Sequence, residues 1–173
     1  QVMSPPKTPE AWKSIAELYS ARWNFHHTVG ALEGKHVAIK KPAKSGSIFF
    51  NYKRYFSIIL FTLVNADYKF IWVDVGASGS ASDATIFNDC ELTSGINDGS
   101  IKLPPAEPLP GDLENTGYFF IRDDAFLLKL WLMKPYTRST VHDDAKRIFN
   151  YRLCRARRLV ENAFGVLANR YQF

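Results

Sequence analysis

Apolar residues recur three and four apart at Trp12, Ile15, Ala16, Tyr19 and Trp23. That period lays a single apolar stripe along a helix spanning residues 8–22, and Thr8 followed by Pro9 supplies the cap and first turn that would start it. The next run, V-G-A-L-E-G-K-H-V-A-I at 29–39, is apolar, partly β-branched and halted by Lys40-Lys41-Pro42. It predicts a first strand. Residues 55–65 and 69–75 are strand-like on either side of Ala66-Asp67-Tyr68, which suits an antiparallel hairpin that the stretch 76–79 would break. Ser82-Asp83 predict the cap and first turn of a short helix through Leu92, with Ala84, Phe87 and Leu92 on its apolar side.

Residues 93–116 have no periodicity and contain Gly95, Gly99, Pro104, Pro105, Pro108, Pro110 and Gly111, so a long loop is expected there. A brief aromatic strand at 117–121 follows, then Arg122-Asp123-Asp124, and 127–133 predicts a turn or two of helix ending before Pro135. From Asp143 to about Tyr171 one long helix is expected, because Phe149, Leu153, Ala156, Val160, Ala163 and Leu167 step by four and three along one stripe. Three early strands, a helix, another strand and late helices predict an α/β fold with a mixed sheet covered by helices.

A length of 173 residues fits one domain, and 46% hydrophobic against 23% charged residues excludes wholesale disorder. No apolar run nears the roughly 18 residues that would span a bilayer; the longest, at 56–64, is broken by Ser57 and Thr62. No membrane partner is expected. The opening Gln1-Val2-Met3-Ser4-Pro5-Pro6 lacks the basic and apolar regions of a secretory signal and reads as a cut end, so the chain is expected to be a fragment of a longer protein. Cys90 and Cys154 sit in no C-x-x-C pair, so a reducing compartment and no structural zinc are expected.

Charge changes the picture more than composition does. Of the net charge of +5, residues 134–173 hold nine Lys or Arg against Asp143, Asp144 and Glu161. Lys35, Lys40, Lys41, Lys44, Lys53 and Arg54 form a second concentration, with no acid between Gly34 and Asp67. Two basic patches of this kind suit a polyanion, since neutralising phosphates releases condensed counterions. Solvated surface with local ion pairs is the plain alternative.

Four carboxylates stand where folding alone does not ask for them. Glu33 interrupts an apolar strand, Asp83 opens a helix after a Gly-containing bend, Asp123 ends a strand and Glu161 lies beside the core stripe of the last helix. Acidic residues meeting at one sheet edge are a way to hold hard divalent cations, which can support phosphodiester cleavage. Each also has an ordinary explanation. Glu33 can pair with Lys35, Asp83 favours a helix start, Asp123 can begin a turn with Asp124, and Glu161 is placed for a helix-surface pair with Arg157 or Arg158. Spacing alone does not establish that the four converge.

At these residues the chain resembles the nuclease domain of PIF/Harbinger transposases and their domesticated relatives. The likeness runs from W-N-F at 23–25 to A-N-R-Y at 168–171. It rests on A-L-E-G-K-H at 31–36, the S-G-S-x-x-x-N-Y-K-x-Y-F-S segment at 45–57, G-S-A-S-D at 79–83, R-D-D-A-F at 122–126, and F-N-Y-R-x-x-R-A-R-x-x-V-E-x-A-F-G at 149–165. The resemblance implies a ribonuclease-H-like fold, DNA cleavage and strand transfer in the nucleus, and magnesium or manganese as cofactor. It implies Glu33, Asp83, Asp123 and Glu161 as catalytic metal ligands, with Asp83 supporting a second ion. Glu33 stands where the family has Asp, and Arg122 where it has Gly; His26 and Arg54 replace an expected proline and glycine.

On that reading Lys40, Lys41, Lys44, Lys53, Arg152, Arg155 and Arg158 hold the DNA backbone, which gives affinity without reading sequence. No helix-turn-helix or zinc module is visible, so sequence choice falls to a separate DNA-binding protein or domain, and homo-oligomerisation stays open. The departures at Glu33 and Arg122 support a competing reading, a catalytically impaired domesticated domain serving as a DNA- or protein-binding scaffold.

Overall fold

The computed structural model describes residues 3–123, 128–137 and 139–171; the first two residues and 124–127, which include most of the R-D-D-A-F segment and the start of the expected helix at 127–133, lie outside them. Helix α1 (Pro9–Trp23) begins as its sequence dictates, with the Ala11 N–H donating to Thr8 Oγ1 at 3.4 Å and Pro9 in the first turn. It buries Trp12, Ile15, Ala16 and Tyr19. Strands β1 (Thr28–Ala38), β2 (Ser57–Val64) and β3 (Phe70–Ser78) form an antiparallel meander. β3 outruns its expected end, because a register shift opposite Ile59 and Leu60 and a left-handed Gly76 (φ +117°) let the ladder continue to Ser78. Gly79 makes the break. A Cβ there would lie 2.3 Å from Ser57 Oγ and 2.6 Å from the backbone oxygens of Phe49 and Ser57.

The single helix expected from Ser82 through Leu92 is two, α2 (Asp83–Asp89) and α3 (Glu91–Asp98). The extended backbone of Cys90 (ψ 157°) ends one and starts the other, and its buried thiol donates to Phe87 O at 3.2 Å. The stretch expected as loop therefore starts inside α3, and it contains a short ladder between β4 (Glu107–Pro108) and β5 (Asn115–Thr116). β6 (Phe119–Ile121) follows as expected. The helix expected at 127–133 is corrected: its described part folds as a turn and strand β7 (Leu132–Met133). The Phe120 N–H donates to Trp131 O at 2.9 Å and the Arg122 N–H to Met133 O at 3.0 Å, so pairing with β6 overrides a helical pattern too short to stand alone. Helix α4 (Asp144–Tyr171) is the long closing helix.

The sheet order is β3-β2-β1-β6-β7, with β6 and β7 parallel to β1. An α/β, ribonuclease-H-like mixed sheet flanked by helices is thus what the chain builds. Aromatic edges lock the layers: Trp12 meets Phe120 at 5.4 Å, Phe87 of α2 meets Phe61 at 6.3 Å, and Phe164 of α4 meets Phe70 at 5.7 Å. Among the described residues no helix is long and apolar enough to cross a membrane.

Candidate functional site

β1 is the middle strand, and its neighbours set the site. Ala31 pairs with Ile121 across the parallel β1–β6 ladder, and Glu33 and Asp123 each lie two residues past that pair in the same direction. Adjacent residues on a strand face opposite sides of the sheet, so Glu33 and Gly34 look to different layers. α4 covers the Glu33 side, bringing Arg157 and Glu161. α2 covers the Gly34 side and begins with Asp83, whose cap is the Ser82 hydroxyl accepting from the Thr85 N–H at 3.1 Å. Gly34 makes room for that carboxylate: a Cβ on it would stand 2.9 Å from Asp83 Oδ1 and 3.1 Å from Oδ2.

Glu33, Asp83, Asp123 and Glu161 consequently line one open cavity of about 710 Å³, with Lys35, His36, Tyr52, Lys53 and Tyr55 on its rim. Each layer also sends in a guanidinium. On the α4 side Arg157 spans two acids, with Nη1 donating to Glu33 Oε2 at 2.8 Å and Nη2 lying 3.0 Å from Glu161 Oε1. On the α2 side Arg122, 1% exposed, donates from Nη2 to Asp83 Oδ2 at 3.2 Å. Its guanidinium lies 4.6 Å from the centre of the Phe61 ring and 5.6 Å from that of Phe87, so cation–π attraction offsets part of its desolvation. Burial still pulls the Arg122 pKa down to about 10, against the upward pull of Asp83, Asp123 and Glu33. Burial pushes the Glu33 carboxyl above its ordinary value; Arg157 opposes this, and the negative charges of Asp123 and Asp83 reinforce it.

The donors suit a hard cation in kind. Asp123 Oδ1 is buried and has no hydrogen-bond partner among the described residues. In disposition they are held apart: among the described residues no three His, Cys, Asp or Glu side chains stand as a group able to hold an ion. Three of the four carboxylates are engaged by arginines instead.

The basic residues separate. Lys53 stands on the cavity rim, while Lys40, Lys41 and Lys44 are exposed on the loop after β1, where Lys41 lies 5.4 Å from the Phe56 ring centre. Arg152, Arg155 and Arg158 are exposed on α4 but do not line the cavity. Arg152 borders an apolar groove with Phe25 and Phe149, and Arg155 lies 5.8 Å from the Trp23 ring centre. Sequence reasoning named Arg157 only as a partner for Glu161 and passed over His36, Tyr52 and Tyr55. The signal for His36 was its place two residues after Gly34, on the same side of the strand; for the tyrosines it was an aromatic pair interleaved with Lys53 and Arg54.

Comparison with known proteins gives the family. The family model described as DDE superfamily endonuclease matches residues 32–173. No curated protein and no solved structure matches. The match begins on the strand that carries Glu33 and takes in every cavity carboxylate, and the chain belongs to the DDE superfamily endonucleases.

Proposed function

We propose that this is the strand-cleaving and strand-transferring domain of a PIF/Harbinger-like transposase. The observation that carries the reading is the convergence of Glu33, Asp83, Asp123 and Glu161 on one open cavity rimmed by Lys35 and Lys53. On this reading the four carboxylates would hold the ion, magnesium or manganese, once drawn together from the separated positions they take among the described residues. When bound, such an ion stabilises charge on the scissile phosphate and lowers the pKa of an attacking water or hydroxyl. The chain's own part is positioning. β1 and α4 fix Glu33 and Glu161, Gly34 seats Asp83, and Arg157 has to release both its acids before they can act together. Lys40, Lys41, Lys44 and Lys53, with Arg152, Arg155 and Arg158 on a second face, engage DNA phosphates. On this reading the domain works in the nucleus beside a separate DNA-binding domain or protein, alone or as a homo-oligomer.

A second reading draws on Arg122. A buried, permanently charged guanidinium paired with Asp83 does the neutralising that a metal would otherwise do, which suits a domesticated domain that holds DNA or a protein without cutting. Nicking of supercoiled plasmid in manganese separates the two. The first reading expects nicking by the parent chain that Asp123→Asn abolishes. No nicking by a folded, DNA-binding parent, with activity in the Glu33→Asp, Arg122→Gly double variant, would establish the second.

A further inference from the structure

The segment between β1 and β2 ends in a built turn. Asn51, 3% exposed, donates from Nδ2 to Ser57 Oγ at 2.8 Å and accepts at Oδ1 from the Tyr55 N–H at 3.2 Å. Its own N–H donates to Tyr55 O at 2.9 Å, and the Arg54 N–H donates to Asn51 O at 3.0 Å. Arg54 closes the turn in the left-handed region, at φ +68°. What this rigid tip presents is not core. Tyr52 is 78% exposed, with its ring edge-on to His36 at 5.6 Å and the Lys53 ammonium 5.5 Å from its centre. Tyr55 also meets this imidazole edge-on, with ring centres 6.5 Å apart. Tyr52, Lys53, Tyr55 and His36 all border the carboxylate cavity.

Folding gives no reason to hold an aromatic ring in water on an immobilised turn. A stacking partner with a negatively charged tether gives one, because every nucleobase offers a π-face and its backbone a phosphate for Lys53 and Arg54. A fully paired duplex keeps its base faces inside the stack, so the ligand must have a base out of it.

We infer that Tyr52, supported by His36 and Tyr55 and flanked by Lys53 and Arg54, is a stacking platform for an unpaired base of a DNA strand whose backbone enters the neighbouring cavity. This rests on the DNA-handling part of the proposed function and is independent of cleavage. The domain therefore prefers a strand that is locally melted next to the phosphate it acts on, and the turn at 51–55 supplies that preference.

Fluorescence anisotropy in metal-free buffer tests this with a labelled blunt duplex, the same duplex with a short unpaired overhang, and the overhang made abasic. The parent chain is expected to bind the overhang form about five- to tenfold more tightly than the blunt form. Tyr52→Ala and the abasic overhang should each erase that advantage, Tyr52→Trp should keep it, and blunt-duplex affinity should move less than about twofold. Lys53→Ala should weaken both forms and shallow the salt dependence by about one phosphate contact. Equal affinity for the two forms, or a preference that survives Tyr52→Ala, overturns the platform while leaving duplex binding intact. No binding to any form would overturn the DNA reading with it. Because Tyr52 is exposed, loss of folding does not confound the variant, and nicking plays no part in the measurement.

Discussion

Arg157 reaches across the protein to Glu33, a residue 124 positions away, and closes on it at 2.8 Å while its other nitrogen lies 3.0 Å from Glu161. One guanidinium therefore does two things: it neutralises a carboxylate that burial disfavours as an anion, and it keeps two acids from closing on anything else. Glu33 is 19% exposed at its side chain and Arg157 22%, so solvent screens the pair only partly. Removing the cation strands a half-buried negative charge beside Asp83 and Asp123. Arg157→Ala is expected to lower stability at neutral pH by about 2 kcal/mol, measured by denaturant unfolding, and to raise manganese affinity in calorimetric titration. Unchanged metal binding would show that Arg157 is no barrier to the ion.

Arg122 answers to a different balance. Its guanidinium packs over both the Phe61 and Phe87 rings, so a substitution there loses packing as well as charge. Arg122→Gly removes both and leaves a void. Arg122→Met keeps most of the volume and ends the desolvation of a buried cation, while Asp83 is exposed enough to be hydrated. The glycine variant is expected to be less stable than the methionine variant by about 2–3 kcal/mol. Equal thermal midpoints would mean that the aromatic contacts contribute little.

How much of this is legible in the sequence depends on the range of the interaction involved. Thr8, Pro9 and the apolar stripe announce α1, and the stripe from Phe149 to Leu167 announces α4, because caps and helical period are local properties of the chain. β7 is not legible locally, because Leu132 and Met133 are strand only by virtue of Phe120 and Ile121 beside them. The four carboxylates could be singled out as residue types, but their meeting depends on the Ala31–Ile121 register and on helices laid on opposite faces of β1, neither of which a sequence encodes locally. For the same reason Arg157 was legible as a helix neighbour of Glu161 and illegible as the partner of Glu33.

Gly34 is where the strand and Asp83 negotiate space. A methyl group there would sit 2.9 Å from an Asp83 oxygen, closer than a carbon and an oxygen tolerate, and moving that carboxylate aside disturbs its hydrogen bond from Arg122 at 3.2 Å. Gly34→Ala should destabilise the fold by about 1–3 kcal/mol and weaken the Arg122 contact. Removing the obstacle should undo the harm, so the Gly34→Ala, Asp83→Ala double variant should lose less than the two single losses combined. Simple additivity in that cycle would place the strain elsewhere.

Acid pH offers a separate test, because three cavity or near-surface groups carry proton affinities altered by folding. Burial holds the imidazoles of His36 and His26 below their ordinary value of 6.5; Lys53 assists at His36 while Asp83 opposes, and His27 and Arg152 assist at His26. The unfolded chain then takes up these protons first, so the stability they contribute is complete above about pH 6.5 and is lost as the pH falls through the folded-state values. Glu33 works the other way. Its raised value means that its share of stability is present below its ordinary value of 4.5 and is lost as the pH rises through the folded one. Guanidinium midpoints between about pH 4 and 8 should fall on the acid side, and replacing both histidines by Gln should flatten that limb by removing the groups that titrate there. Glu33→Gln should gain on the parent as the pH climbs from 4 toward neutrality, since the burial penalty it escapes grows over that interval. A double-histidine variant with an undiminished acid limb would assign the pH dependence to the carboxylates instead.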